Sequence, residues 1–579
     1  MKYILSAPNP SSHFIEIEMI IDNPALMEET EEIFVQLPSW RPGRYELDNF
    51  AKNIQKFNVT DGTGKTLAFR KITKDKWRIE CKGANTIHVH YNYYAAQLDA
   101  GACWLDEDQL YFNPIHCFLY VPDRMYEECL VELRTDFKQI ATSLKQSGKK
   151  LIATDYHELV DSPVIASNSI AHQTYETGGT LFHIWIQGNA KPDWEIITGH
   201  FKKFTEEQFS MMKEFPFSKY HFLIQALPKK FYHGVEHLNS TVLALGPGYK
   251  LMDEDLYTDF IGVASHELFH SWNIKSIRPV EMMPYDYTKE NYSRLGFVAE
   301  GVTTYYGDLF LLRCGVYNLK QCFMELNVRL QKHVDNYGRF NLSVADSSFD
   351  TWLDGYVAGI PDRKTSIYDE GCLIALMTDL LIRRHTQNKK SLDDVMRALY
   401  FDFAKRGHGY TEHDYARVVE NIAGQSFAGF FANYVYGTNN YEPLLNDLLN
   451  DVGCRMIICP SKNLYQSLFG FKTSVENGST KISSIVPASP AFKAGLGRQE
   501  EIVAVNNLKV ENNFDDLIRF VHSTEKKITL HVFTIQKKLK QLELDADGKN
   551  YYNQYKIEQS KEISAQQKKS FASWVHQDL

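Results

Sequence analysis

The sequence predicts a multidomain α+β protein, and three observations carry that prediction. The first third of the chain alternates polar and apolar residues, as strands with one solvated face do. A central stretch, Ala264-Ser265-His266-Glu267-Leu268-Phe269-His270-Ser271-Trp272-Asn273, lies in a helical pattern of apolar positions. Beyond about residue 455 the texture shifts to short strands and one helix-like run, as in a small independent domain. With 579 residues the chain is long enough for three or four domains.

Hydrophobic residues make up 44% and charged residues 23% of the chain, an ordinary globular balance with ample material for a core. The formal net charge of −9 argues against nucleic acid or an anionic membrane surface as the main partner. Nine cysteines are scattered without paired spacing, which reads as reduced thiols rather than a disulfide framework. No stretch approaches about 18 uninterrupted apolar residues, so no membrane span is expected. Met1–Pro8 lacks the apolar run of a secretory leader, and the expected location is cytoplasmic.

Taken in order, residues 1–165 read as an antiparallel β domain. His13–Ile20 and Thr86–Tyr91 alternate as strands, and Asn23-Pro24, Asp61-Gly62 and Lys82-Gly83 supply turns. The loop Leu37-Pro38-Ser39-Trp40-Arg41-Pro42-Gly43-Arg44-Tyr45 stands out; its Trp and two Arg suit packing against a neighbouring domain better than a ligand contact. Residues 166–452 begin with strands at Thr180–Ile186, Tyr220–Ala226 and Val242–Leu245 and then turn helical. Leu295 starts a second amphipathic helix that reaches about Arg313, with Gly315 as its stop. Cys372–Leu381 is a strongly apolar helix. In residues 455–545, Leu468–Thr473 starts a run of short strands, and Phe514–His522 reads as a helix. The polar tail 546–579 is expected to be partly a docking helix and partly flexible.

The chemistry concentrates in the central helix. His266 and His270 are four residues apart, so on a helix both imidazoles share one face and can hold a single ion. Glu267 completes an H-E-x-x-H pattern: two zinc-binding nitrogens plus a carboxylate able to take a proton from water. Asp253, Glu254 and Asp255 suit the helix N-terminus. A catalytic zinc site needs three protein ligands and an open position. Glu300 on the following helix is the natural third ligand, with Asp259 and Asp308 as rivals that spacing alone leaves open. Upstream, His233-Gly234-Val235-Glu236-His237 feeds the apolar strand; a carboxylate beside an edge strand can hold a peptide's free α-ammonium group. Alone, Glu236 reads more readily as a surface residue, and Tyr368, at the mouth of the apolar helix, would be one of 33 tyrosines.

Together these residues resemble the glycyl aminopeptidase family of zinc metallopeptidases, within the gluzincin group that includes the aminopeptidase N-like enzymes. Trp40-Arg41-Pro42-Gly43-Arg44-Tyr45 is similar to that family's W-x-P-G-x-Y segment, and His233–His237 to its G-G-x-E-H element. His266–Asn273 with Ile277-Arg278-Pro279, Glu300-Gly301, and Tyr368 with Gly371 match its remaining motifs. The resemblance implies a thermolysin-like α/β-plus-helical catalytic domain over 166–452 and a PDZ-like domain over 455–545. It implies one zinc ion on His266, His270 and Glu300, with Glu267 and Tyr368 catalytic. It implies that Glu236, Gly234 and His237 bind the amino end of a peptide, with glycine or small first residues favoured. The PDZ-like domain would take a peptide or protein terminus by strand addition along Phe469-Gly470-Phe471. Other readings are an endopeptidase on the same site and a catalytically silent peptide-binding scaffold. Two positions depart from the pattern: His233 stands where Gly is frequent, and Glu370 where Lys is common.

Overall fold

The alternating N-terminal sequence builds a seven-stranded sheet. Its strand order is Lys145–Ser147, Lys150–Ala153, Cys129–Arg134, Lys2–Ser6, Phe14–Asp22, Thr86–Tyr94, Phe57–Asp61. The computed structural model describes residues 1–22, 31–357, 359–523, 525 and 527–577. The expected turn at Asn23-Pro24 therefore lies outside the described residues. Along Phe14–Asp22, Ile15, Ile17, Met19 and Ile21 are buried, while Glu16, Glu18 and Ile20 face the other way, as a period of two requires. Sheets of three and four strands close over the same core. The expectation of an antiparallel domain needs one correction: Lys2–Ser6 pairs in parallel with Cys129–Arg134. The long connection between these two strands gives ample chain for a parallel crossover.

The chain changes sheet between Ser167 and Ala171. The central sheet has the order Ala171–Thr177, Thr180–Gly188, Lys219–Ala226, Ser240–Gly246, Phe231–Glu236. Its middle strands are parallel, and Phe231–Glu236 returns antiparallel to form the edge. Helices Trp194–Met212 and Glu254–Phe269 pack beneath, joined where Gln208 Nε2 donates to the Ser265 carbonyl at 2.9 Å. A helical layer follows, including Thr303–Arg313, Leu319–Asp335 and Asp369–Thr386, around one continuous core.

Residues 471–545 form a further sheet with its own core. Phe471–Glu476, Ser479–Ile485, Glu501–Val505, Lys527–Phe533 and Leu539–Asp545 pair in that order, with helix Phe514–His522 laid against them. The expected strand at Leu468–Thr473 is corrected by the structure. Leu464–Phe469 is a helix, Gly470 ends it at φ +73°, and the strand starts at Phe471. Glycine takes the left-handed conformation that closes a helix at least cost, so the break falls there. The chain enters and leaves this unit through two paired strands, Cys454–Cys459 and Gln554–Gln559.

The expected docking helix of the tail is present. Helix Ala565–Val575 buries Phe571, Trp574 and Val575 against the helical core. Trp574 Nε1 donates to the Tyr305 hydroxyl at 2.8 Å, and Arg313 Nε donates to the Trp574 carbonyl at 3.1 Å. Apolar residues three and four positions apart give this otherwise polar segment a single docking face. No helix among the described residues is long and apolar enough to cross a membrane. Replacing Trp574 by Ala leaves a large cavity and removes the indole donor to the Tyr305 hydroxyl, which keeps its own hydrogen bond to Asp379 Oδ2. The expected cost is about 3–5 kcal/mol of stability, read as a lowered thermal unfolding midpoint.

Candidate functional site

The helix Glu254–Phe269 begins with Glu254 and Asp255 in its first turn, where the backbone dipole favours acids, and it delivers the central motif at its far end. His266 and His270 face each other with their Nε2 atoms 3.0 Å apart. His270 Nδ1 donates to the Asn273 carbonyl at 2.6 Å, which fixes Nε2 as the free nitrogen. Glu300 Oε2 lies 3.4 Å from His270 Nε2. Donors on a tetrahedral zinc with bonds of about 2.0–2.1 Å sit about 3.3 Å from one another. The ligating atoms of His266, His270 and Glu300 all lie within 4.8 Å of one another, so this donor set fits such an ion.

Glu300 occupies a short π-helical turn, Phe297–Val302, that runs directly into Thr303–Arg313. Asn273 Nδ2 reaches across to this turn, donating to Val298 O at 2.9 Å, Ala299 O at 3.2 Å and Thr303 Oγ1 at 3.0 Å. Of the rival carboxylates, Asp259 and Asp308 line the same cleft but join no such cluster, and Asp308 instead pairs with Arg329 at 2.9 Å.

The cleft holds about 400 Å³ and is lined by Gly43, His233, Gly234, Glu236, His266, Glu267, His270, Glu300 and Tyr368, among others. Glu267 is buried, and among the described residues its Oε2 has no hydrogen-bond partner. Burial, opposed by His270 and reinforced by Glu236 and Glu300, pushes the Glu267 carboxyl well above the usual range. A side chain on Gly234 would collide with the Glu267 carboxylate and Val263, so only glycine lets the edge strand pass so close. Burial pulls His270 down, but Glu300, Glu236 and Glu267 together push it up to about 10. The centre thus favours positive charge.

Glu236 ends the edge strand Phe231–Glu236 and is 5% exposed. The loop from the N-terminal sheets closes over it: Gly43, at φ +83°, leaves no room for a side chain beside the Glu236 carboxylate. That loop packs as expected, with Trp40 edge-on to Trp352 and Tyr285. It also reaches the site, because the Tyr45 hydroxyl donates to Glu300 Oε1 at 3.1 Å. Sequence reasoning did not select Tyr45; its place at the end of the Trp40–Tyr45 segment was the available signal. His233 lines the cleft, and burial, with Arg41 nearby, pulls its pKa down to about 4.

His237 turns away from the cleft. Its Nδ1 lies 3.2 Å from Asp161 Oδ1, which also accepts from Lys275 Nζ at 2.6 Å. Asp161, likewise unselected from sequence, so ties the end of the edge strand to the segment after the histidine helix. Tyr368 borders the cleft at the start of helix Asp369–Thr386, and its hydroxyl forms no hydrogen bond among the described residues. Glu370 faces the opposite way, accepting at 2.6 Å from His333 Nδ1 and at 2.9 Å from Thr365 Oγ1, and so braces the helix that carries Tyr368. Gly301 and Gly371 touch where that helix crosses the π turn; a Cβ at either would collide with the other's backbone, so this crossing holds Tyr368 close to Glu300.

Residues 2–168 match the M61 peptidase N-terminal domain, and residues 259–374 match M61 glycyl aminopeptidase. The chain belongs to the M61 glycyl aminopeptidase family. This M61 chain superposes with a TM-score of 0.89, at 24% identity and over 99% of each chain, on the crystal structure of an aminopeptidase N family protein from Idiomarina loihiensis. An M1 zinc metallopeptidase from Deinococcus radiodurans, solved as a variant bound to a Tyr-Ser-Ala substrate, aligns at TM-score 0.46 and 11% identity, over 76% of this chain and 94% of that one. The same M1 enzyme without the variant description aligns at TM-score 0.47 and 11% identity, with the same coverage. No curated protein sequence matches the chain.

Tyr45→Phe removes the hydrogen bond that orients Glu300 without touching the donor atoms. Outer hydrogen bonds of this kind typically carry about 10–100-fold in metal affinity. With Phe at this position, added zinc is expected to be held correspondingly more weakly in competition with a chelator.

Proposed function

We propose that the M61 chain is a zinc-dependent aminopeptidase that hydrolyses the first peptide bond of peptides bearing a free N-terminus. The observation that carries this reading is the buried Glu236 carboxylate, set at the end of an edge strand and roofed by the Gly43 loop beside the His266–His270–Glu300 cluster. An unpaired buried carboxylate is costly unless a cation meets it. In a cleft closed at that end, the α-ammonium group of a substrate is the cation that fits.

His266, His270 and Glu300 would hold the zinc. When bound, the ion supplies Lewis acidity toward a carbonyl oxygen and makes water a stronger nucleophile near neutral pH. A substrate extends along the outer edge of Phe231–Glu236, and Glu236 fixes how far its amino end can travel. Glu267, with one oxygen unpaired in the cleft, accepts the proton of the attacking water and passes it to the leaving amine. The Tyr368 hydroxyl donates to the oxygen that becomes negative as the carbonyl is attacked. Gly234 admits the backbone of the edge strand close to Glu267, and His237 holds that strand's end through Asp161. The family name points to glycine or another small first residue.

The unit over 455–545 is read as a PDZ-like module whose ligand edge is Phe471–Glu476 beside helix Phe514–His522. Tyr465, on the helix Leu464–Phe469, packs against both, its ring 5.3 Å from Phe471 and 4.9 Å from Phe514.

Glu267→Gln is expected to keep its zinc while turnover on aminoacyl amides falls by about 10²–10⁴-fold. Glu236→Ala is expected to keep zinc and lose cleavage of free-amine substrates. Cleavage of N-acetylated peptides by the wild type would establish the endopeptidase reading instead, and bound zinc with no cleavage of either would favour the scaffold.

A further inference from the structure

A second group of metal-capable side chains lies on the outer face of the N-terminal sheet, on strands apart from those that build the cleft. Glu18 lies on the strand Phe14–Asp22, His88 and His90 on Thr86–Tyr94. Alternate residues of a strand share a face, so both imidazoles leave the sheet on one side. The antiparallel register sets Glu18 directly opposite His90 and diagonal to His88. Glu18 Oε1 lies 2.7 Å from His88 Nδ1 and 3.9 Å from His90 Nε2. The ligating atoms of the three residues fall within 4.8 Å of one another; among the described residues only His266, His270 and Glu300 do likewise.

We propose that Glu18, His88 and His90 form a second cation site, one for a divalent transition metal. The surroundings support an ion rather than a simple hydrogen bond. A His–Glu hydrogen bond needs only His88, yet His90 is brought within reach of the same oxygen. Among the described residues, Glu18 forms ion pairs with these two histidines and with no lysine or arginine. When the imidazoles are neutral its charge is therefore unmatched. Of the flanking strands, Phe57–Asp61 sets Asn58 opposite His90 and Thr60 opposite His88, and Lys2–Ser6 sets Ile4 opposite Glu18, its Lys2 pairing with Glu132 at 3.9 Å.

The chemistry selects the ion class. Two imidazoles and one carboxylate suit zinc, copper, nickel or cobalt, whereas magnesium and calcium favour all-oxygen sites. Donors on a tetrahedral ion sit about 3.3 Å apart, and the two measured separations bracket that value. A turn of the Glu18 carboxylate would even them. The side chains are 22%, 26% and 45% exposed for Glu18, His88 and His90, so water can complete the coordination. Such an ion would link two central strands of the sheet.

The test uses the full chain, stripped of metal and titrated with zinc against a competing chelator. The wild type is expected to bind two equivalents, H88Q/H90Q one and H266Q/H270Q one. Zinc is expected to raise the unfolding midpoint of H266Q/H270Q, and Cu²⁺ bound to that variant to show nitrogen hyperfine coupling in its electron paramagnetic resonance spectrum. A wild type and H88Q/H90Q that bind the same number of equivalents with the same affinity would overturn the proposal, and this comparison holds whether or not H266Q/H270Q folds. Loss of zinc from the cleft alone would count against the aminopeptidase reading and leave this site standing.

Discussion

The site depends on one fastening, the side chain and carbonyl of Asn273. Its carbonyl accepts from His270 Nδ1, and its amide donates to Val298, Ala299 and Thr303. The first contact sets the tautomer and angle of an imidazole. The others reach two carbonyls of the π turn around Glu300 and the hydroxyl of Thr303 just beyond it. The histidine helix and the glutamate helix are thereby locked in one register. Buried amide–carbonyl bonds of this kind are individually modest but expensive to leave unmade, so the arrangement resists partial opening.

Around that fastening the chain concentrates negative charge. Glu236, Glu267 and Glu300 share one cleft with two imidazoles, and together they push His270 up, against burial, to about 10. Three carboxylates this close are tolerable only where cations arrive: one at the ligand cluster, one at the closed end beside Glu236. The same field explains why Gly43 and Gly234 matter. Both let backbone approach a carboxylate where any side chain would collide, so the walls of the cleft are drawn in to touching distance.

The N-terminal sheets do more than cover the peptidase-family core. Their loop at Trp40–Tyr45 roofs Glu236 with Gly43 and orients Glu300 through Tyr45, so the centre is assembled from both halves of the chain. The tail returns the favour from the other side, where Trp574 and Arg313 tie its helix to Thr303–Arg313, the helix that continues from the π turn. Movement of either layer would be felt at the cluster.

The sequence by itself determined the local features: alternating strands, the spacing of His266 and His270, the acidic helix start and the glycine stop at Gly315. These are legible because they obey periods of two and 3.6 within a few residues of chain. It also placed Glu300 on the next helix but left Asp259 and Asp308 as rivals, since spacing carries no information about which carboxylate turns inward. Only the tertiary structure decided that. It put Glu300 on a π turn and Asp308 on Arg329, turned His237 outward to Asp161, and brought Tyr45 across from a distant loop. It likewise docked the helix of the polar tail, whose apolar residues find a partner only once the helical core exists. Residues that act across more than a hundred positions of chain leave no periodic trace, because what fixes them is the surface they meet.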